Sequence, residues 1–262
     1  TILGYNIYDI ISNGPIEKIN NTKYTQPAIF IISCIAYEIY KEKKLKADFC
    51  AGHSVGEISA LYASGALTFK DALLFIQERA ESMEYASKVN PGKMLALIKA
   101  AHKDIDNIIK KDNSISIANI NSVNQTILSG PAKSIDDIIL FCKNMRIKAI
   151  PLPVSGAFHS ILMQPASDSL LKTLNQLNLV DSMMPIYQNI NALPENRKEN
   201  LRENLIGQIV SPVQWKSTIQ NMINDGAERF IELGPKKILT NLIKKSHPNI
   251  TCNAFEDIII NE

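Results

Sequence analysis

The sequence predicts an α/β fold in which a smaller βαββαβ unit interrupts a larger apolar domain. Three observations carry this. A short apolar strand, Ala47-Asp48-Phe49-Cys50-Ala51, runs through Gly52-His53-Ser54-Val55-Gly56 into a helix-periodic segment, Glu57 to Ser64, closed by Gly65. Residues 92–154 alternate strand and helix patterns in the order βαββαβ. Apolar α/β segments resume after residue 154, so the unit reads as an insertion.

Taken in order, Thr25 to Tyr40 reads as a long apolar helix, with Gln26-Pro27-Ala28 marking its first turn. The Gly-x-Ser-x-Gly turn and its helix follow, then a helix from Asp71 to Ser87 with an apolar stripe at Ala72, Leu73, Phe75, Ile76 and Ala80. Asn90-Pro91-Gly92 punctuates the chain. Beyond it come strand Met94 to Ile98, helix Asp104 to Lys111, strands Ile115 to Ile120 and Gln125 to Ser129, helix Ala132 to Asn144 and strand Lys148 to Val154, a ferredoxin-like order. The larger domain continues with helix Met163 to Leu177, a strand at Ile186-Tyr187, helices Glu199 to Ile206 and Trp215 to Gly226, strand Arg229 to Leu233 and helix Ile238 to Lys245. The domains are therefore expected at 1–91 with 155–262, and at 92–154.

At 262 residues, 45% hydrophobic and 21% charged, the chain has the length and composition of a globular protein with a sizeable core. A formal charge of +2 is too mild to point to nucleic acid. No apolar run is long enough to span a bilayer. Four scattered cysteines without a C-x-x-C pair suit a reduced, soluble intracellular protein, and four histidines without ligand spacing predict no metal. Asn, Lys and Ile recur, as in Asn189-Ile190-Asn191, which reads as a bias of nucleotide composition rather than of function.

Strand, Gly-x-Ser-x-Gly and helix together describe a nucleophile elbow, in which the two glycines relieve Cβ clashes and Ser54 stands exposed above the sheet. The alternative is a structural turn. A serine hydroxyl needs an adjacent base. His102 falls at a surface helix start and His247 in a polar stretch, while the side chain of His53 diverges from that of its neighbour Ser54. This leaves His159, on the Gly-containing loop where the inserted unit hands the chain back; the alternative is a loop histidine satisfied by backbone. No Asp or Glu between Ser54 and His159 follows a core strand, so a backbone carbonyl is expected to orient the histidine. Arg79, within the apolar stripe of its helix, is either a surface salt-bridge residue or a fork aimed at a carboxylate in the cleft.

These segments together resemble the malonyl-CoA:acyl carrier protein transacylases of type II fatty-acid synthesis and the acyltransferase domains of polyketide synthases. The resemblance rests on Leu3-Gly4-Tyr5, Asn13-Gly14-Pro15 and Thr25-Gln26-Pro27-Ala28, on Gly52-His53-Ser54-Val55-Gly56-Glu57 and on Gln77-Glu78-Arg79. It continues through Asn119-Ile120-Asn121-Ser122 with Gln125, Pro151 to Ser160, Ser211-Pro212-Val213-Gln214-Trp215 and Glu232-Leu233-Gly234-Pro235. It implies an α/β-hydrolase-like domain with a parallel sheet, carrying the ferredoxin-like one, with the site between them.

By that resemblance Ser54 is acylated, His159 is the base and Arg79 holds the malonyl carboxylate. The N–H of Val55 is an oxyanion donor, and Gln208 orients His159 through its main-chain carbonyl. Asn121 and Phe158 meet substrate, Phe158 leaving no room for an α-methyl group. Malonyl-CoA and the phosphopantetheine arm of an acyl carrier protein are the implied substrates, with no resident cofactor. A monomer is expected, in a bacterial cytoplasm or a plastid-type stroma. Lys236 and Lys237 are candidate contacts for an acidic carrier, against the alternative of a solvated basic helix start. The family's opening strand and Gly-Gln-Gly-Ser-Gln loop do not precede Thr1, so the expectation is either a truncated or processed form, with an open sheet edge and half an oxyanion hole, or a preceding part that this sequence does not include. Two other functions fit the residues: a serine hydrolase such as a thioesterase, which calls for an acidic triad member and no role for Arg79, and a carrier-binding module without full activity.

Overall fold

The computed structural model describes residues 2–260. The chain opens with helices α1 (Ile7–Asn13) and α2 (Ile16–Ile19), neither foreseen from the sequence, and then α3 (Thr22–Glu42). Asn21 caps α3 by accepting from the Lys23 N–H, so the helix begins three residues before the expected start. Pro27 consequently lies inside the helix rather than in its first turn. It cannot donate to the carbonyl of Lys23, one turn back, and the Tyr5 hydroxyl donates to that carbonyl instead, at 3.2 Å.

Next come β1 (Cys50–Ala51), α4 (Gly56–Ala63) and α5 (Phe69–Val89), the last capped by the Thr68 hydroxyl, which accepts from the Asp71 N–H. The middle of the chain forms β2 (Gly92–Ile98), α6 (His102–Lys111), β3 (Ser116–Ser122), β4 (Gln125–Pro131), α7 (Ala132–Asn144) and β5 (Lys148–Pro151). After it follow α8 (Gln164–Leu174), β6 (Ile186–Tyr187), β7 (Pro194–Glu195), α9 (Lys198–Gly207), α10 (Trp215–Asn224), β8 (Arg229–Glu232), α11 (Ile238–Ser246), β9 (Thr251–Ala254) and α12 (Phe255–Ile260).

The middle elements make one antiparallel sheet in the order β3-β4-β2-β5. One face buries Leu95, Leu97 and Leu128 against Ile105, Ile108, Ile135 and Ile138 of α6 and α7. Its other face carries Met94, Ala96, Ala118 and Ile127, against which Leu152 and Phe158 pack. Of the other expected strands, the one at Ile186-Tyr187 is found there, while those at Ala47 to Ala51 and Arg229 to Leu233 are shorter than the sequence suggests. β1 pairs with β6 in parallel over two residues each, β7 joins β6 antiparallel, and β8 pairs with β9 in parallel. The expected parallel sheet is thus divided in two, with β1 and β8 each at a sheet edge among the described residues. Helices α3, α4, α5, α8 and α9 supply the main core, around Phe30, Leu61, Phe75, Ile76, Leu170 and Leu205. The small sheet joins the rest through β3, where Val213 donates to the Ala118 carbonyl at 2.8 Å and accepts from the Ile120 N–H at 2.9 Å.

Candidate active site

Parallel pairing sets the C-terminal ends of β1 and β6 side by side, so the loops that leave them meet. The loop after β1 is the Gly52–Gly56 turn, and Ser54 at its apex has φ 52°. For a non-glycine residue this left-handed backbone costs about 1–3 kcal/mol and persists only where the surroundings hold it. Of the two glycines, only Gly52 is required by space. A Cβ on it would lie 1.9 Å from the carbonyl carbon of Gly56, whereas one on Gly56 would meet nothing within 4 Å. Gly56, Glu57 and Ile58 donate their N–H groups to the carbonyls of His53, Ser54 and Val55, which leaves the Val55 N–H uncommitted at the start of α4.

His159 also has a left-handed backbone, φ 57°, on the loop after β5, and its ring is buried. Its Nε2 lies 2.8 Å from Ser54 Oγ and its Nδ1 2.9 Å from the main-chain carbonyl of Gln208. A carbonyl only accepts, so Nδ1 carries the proton and Nε2 faces the serine as a free base. No carboxylate takes part in this pair. Burial, and after it the positive charge of Arg79, press the imidazole from 6.5 down to about 3, so the ring is neutral at ordinary pH.

Arg79 is 1% exposed, which removes the surface salt-bridge alternative. Its Nη1 donates to Gln26 Oε1, and its Nη2 donates to Ser54 Oγ at 3.0 Å and to Gln208 Oε1 at 3.1 Å. All these acceptors are neutral, and its Nε–H is buried without a partner. Burial lowers its pKa to about 10, partly offset by Glu57, so the guanidinium stays charged near neutrality. A buried, charged fork beside the Ser54 hydroxyl, with a donor to spare, is arranged to receive an anion.

The other expected residues fall around this centre. Phe158 packs between the main core and the apolar face of the small sheet. Asn121 accepts from His53 Nε2 through Oδ1 at 2.8 Å and donates from Nδ2 to Gln125 at 2.9 Å, so its side chain ties the serine turn to the small sheet. His53 itself stacks edge-on against Trp215, 5.5 Å between ring centroids. Lys236 and Lys237 are not brought to the Ser54 centre by any contact, and they differ from each other. Lys236 is exposed, whereas Lys237 is ion-paired with Glu256 at 3.4 Å and with Asp257. Among the described residues no three His, Cys, Asp or Glu side chains gather as a metal site requires, and no helix is long and apolar enough to cross a membrane.

Sequence reasoning missed several residues at the centre. Gln26 and the side chain of Gln208 hold Arg79, and Gln208 Nε2 also donates to the Ser54 carbonyl at 3.2 Å. Asn189, set aside as compositional bias, is fully buried against the serine turn. Its position two residues after an expected strand was the one signal available.

An acyl transferase domain model matches residues 1–254. The chain is 37% identical over 253 residues to the malonyl CoA-acyl carrier protein transacylase of Bacillus subtilis, covering 95% of this chain and 80% of that protein. It superposes on an acyl-carrier-protein-S-malonyltransferase from Bartonella henselae with a TM-score of 0.93 at 30% identity, over 99% of this chain and 87% of that one. A malonyl-transacylase solved in complex with its type II PKS acyl-carrier protein gives a TM-score of 0.92 at 30% identity, over 100% of this chain and 88% of that one. With a mixed α/β fold in common and a serine, histidine and buried arginine meeting at one elbow, the chain belongs to the acyl transferase family, among the malonyl-CoA:acyl carrier protein transacylases.

Proposed function

We propose that the chain carries a malonyl group from malonyl-CoA to the phosphopantetheine thiol of an acyl carrier protein through a malonyl-Ser54 ester, supplying extender units for fatty-acid synthesis. Ser54 Oγ attacks the thioester carbonyl as its proton passes to His159 Nε2, across the 2.8 Å hydrogen bond. The Val55 N–H, free at the start of α4, faces the developing oxyanion. Collapse expels the CoA sulfur, which takes the proton from His159. The carrier thiol then gives its proton to His159, attacks the ester, and Ser54 is released as the hydroxyl. The Gln208 carbonyl keeps the imidazole in the required tautomer and faces the imidazolium when it forms.

The architecture is read as an α/β-hydrolase-like domain, residues 1–91 with 155–262, and a ferredoxin-like one, 92–154. The strand order β3-β4-β2-β5 supports the second. Asn121 and Phe158 would line the donor's path, since both sit where the small sheet faces the serine turn. The hydrolase alternative lacks its acidic triad member, because His159 Nδ1 meets a carbonyl.

The observation that carries the reading is the buried Arg79, held by neutral acceptors 3.0 Å from the nucleophile. A malonyl carboxylate would complete its shell through parallel hydrogen bonds, whereas an acetyl group would leave the charge without an anion. Arg79→Ala is expected to remove roughly 2–5 kcal/mol of malonyl-specific stabilisation. The ratio of kcat/KM for malonyl-CoA over acetyl-CoA should collapse accordingly, with acetyl transfer little changed. An unchanged ratio would end the assignment of Arg79 as the malonyl clamp.

A further inference from the structure

Asn189 lies on the loop after β6 and is fully buried. Every polar group it owns is committed. Its Oδ1 accepts from the Ser54 N–H at 2.7 Å, and its Nδ2 donates to the Gly52 carbonyl at 2.6 Å. The one side chain thus grips the turn at its apex and at its entry. Its own N–H donates to Glu57 Oε2 at 2.7 Å, and its carbonyl accepts from the Gln214 N–H at 2.9 Å. Glu57 is fully buried too, and its other oxygen accepts from Gln188 Nε2 at 3.2 Å.

We propose that Asn189, anchored by Glu57, is a positioning residue that holds Ser54 in its left-handed conformation and so sets the aim of the nucleophile. The inference rests on the reading of Ser54 as the acylated serine. Two consequences follow from the geometry. By occupying the Ser54 amide, Asn189 leaves Val55 as the amide of this turn that is free to face an oxyanion. By fixing the Ser54 backbone, it keeps Oγ at 2.8 Å from His159 and 3.0 Å from Arg79 at once. Because Gln214 adjoins Val213, which pairs with β3, the same residue ties the turn to the small sheet.

The test uses the full chain and a fluorophosphonate probe, which phosphonylates an activated serine and needs neither malonyl recognition nor carrier. In the parent the probe should add once, at Ser54. In Asn189→Ala the labelling rate and kcat should both fall, by roughly 10²-fold, the scale for misplacing a reacting group by about 1 Å. KM for malonyl-CoA should stay the same. Should Asn189→Ala not fold, Asn189→Asp has nearly the same volume, cannot donate to the Gly52 carbonyl, and should show the same split. Glu57→Gln, whose amide oxygen can still accept from the Asn189 N–H, should lose far less than Glu57→Leu. A folded Asn189 variant that labels as fast as the parent overturns the positioning role, even if its thermal midpoint is lower. A parent that takes up probe elsewhere than Ser54 overturns the reading beneath it.

Discussion

His159 is the residue at which the structure departs most from ordinary expectation. A histidine base in water titrates near 6.5, and that is what its sequence context alone predicts. Here burial, and then Arg79, hold the free site's imidazole near 3. The folded-state pKa is depressed, so protonation is deferred: the ring stays neutral as pH falls through 6.5 and gains its proton only toward 3. Activity as kcat/KM, which reports the free enzyme, should therefore keep its value through that range. A bound malonyl carboxylate cancels the Arg79 charge, so the corresponding pKa in kcat should be higher than in kcat/KM. An acid limb in kcat/KM centred near 6.5 would contradict the account. Ser54, His159 and Arg79 were legible in the sequence because a local motif or an odd residue in an apolar stripe betrays each. Asn189 was not, since its contact with Ser54, 135 residues away, depends on two strands pairing.

Among the elements, helix periodicity served well where helices are long and amphipathic. α5, α6 and α7 all appear within a few residues of their expected bounds, because apolar stripes recur at the helical period. The short pieces were less legible. α1 and α2 run only seven and four residues, too short for the spacing of Ile7, Ile10 and Ile11 to stand out as a helical stripe, while β1 and β6 lie at expected strands but owe their two-residue extent to pairing. Pro27 misled for a physical reason. Proline favours the first turn of a helix, but here the Tyr5 hydroxyl serves the carbonyl that Pro27 abandons. Tyr5→Phe should then cost about 0.5–1.5 kcal/mol in the urea-unfolding midpoint. The cost should shrink in a Pro27→Ala background, where the new N–H can bond Lys23. Equal costs in both backgrounds would show that the hydroxyl and the missing donor are unrelated.

At the scale of the molecule, the site is assembled from residues far apart in the chain. The elbow follows β1, Arg79 stands on α5, the Gln208 carbonyl follows α9, His159 stands on the loop leaving β5 and Asn121 reaches across from β3. The order of strands and helices between Gly92 and Pro151 was readable as an alternation of periods; the division of the parallel strands into two sheets was not, because strand pairing is non-local. The central claim is that this assembly passes a malonyl group through Ser54. Intact and peptide mass spectrometry after mixing with malonyl-CoA tests it most directly. One malonyl group should appear on the peptide containing Ser54, be absent in Ser54→Ala, and leave the serine when a phosphopantetheine-bearing acyl carrier protein is added, reappearing on the carrier. A malonyl group on any other residue, or none on a folded protein, would contradict the account.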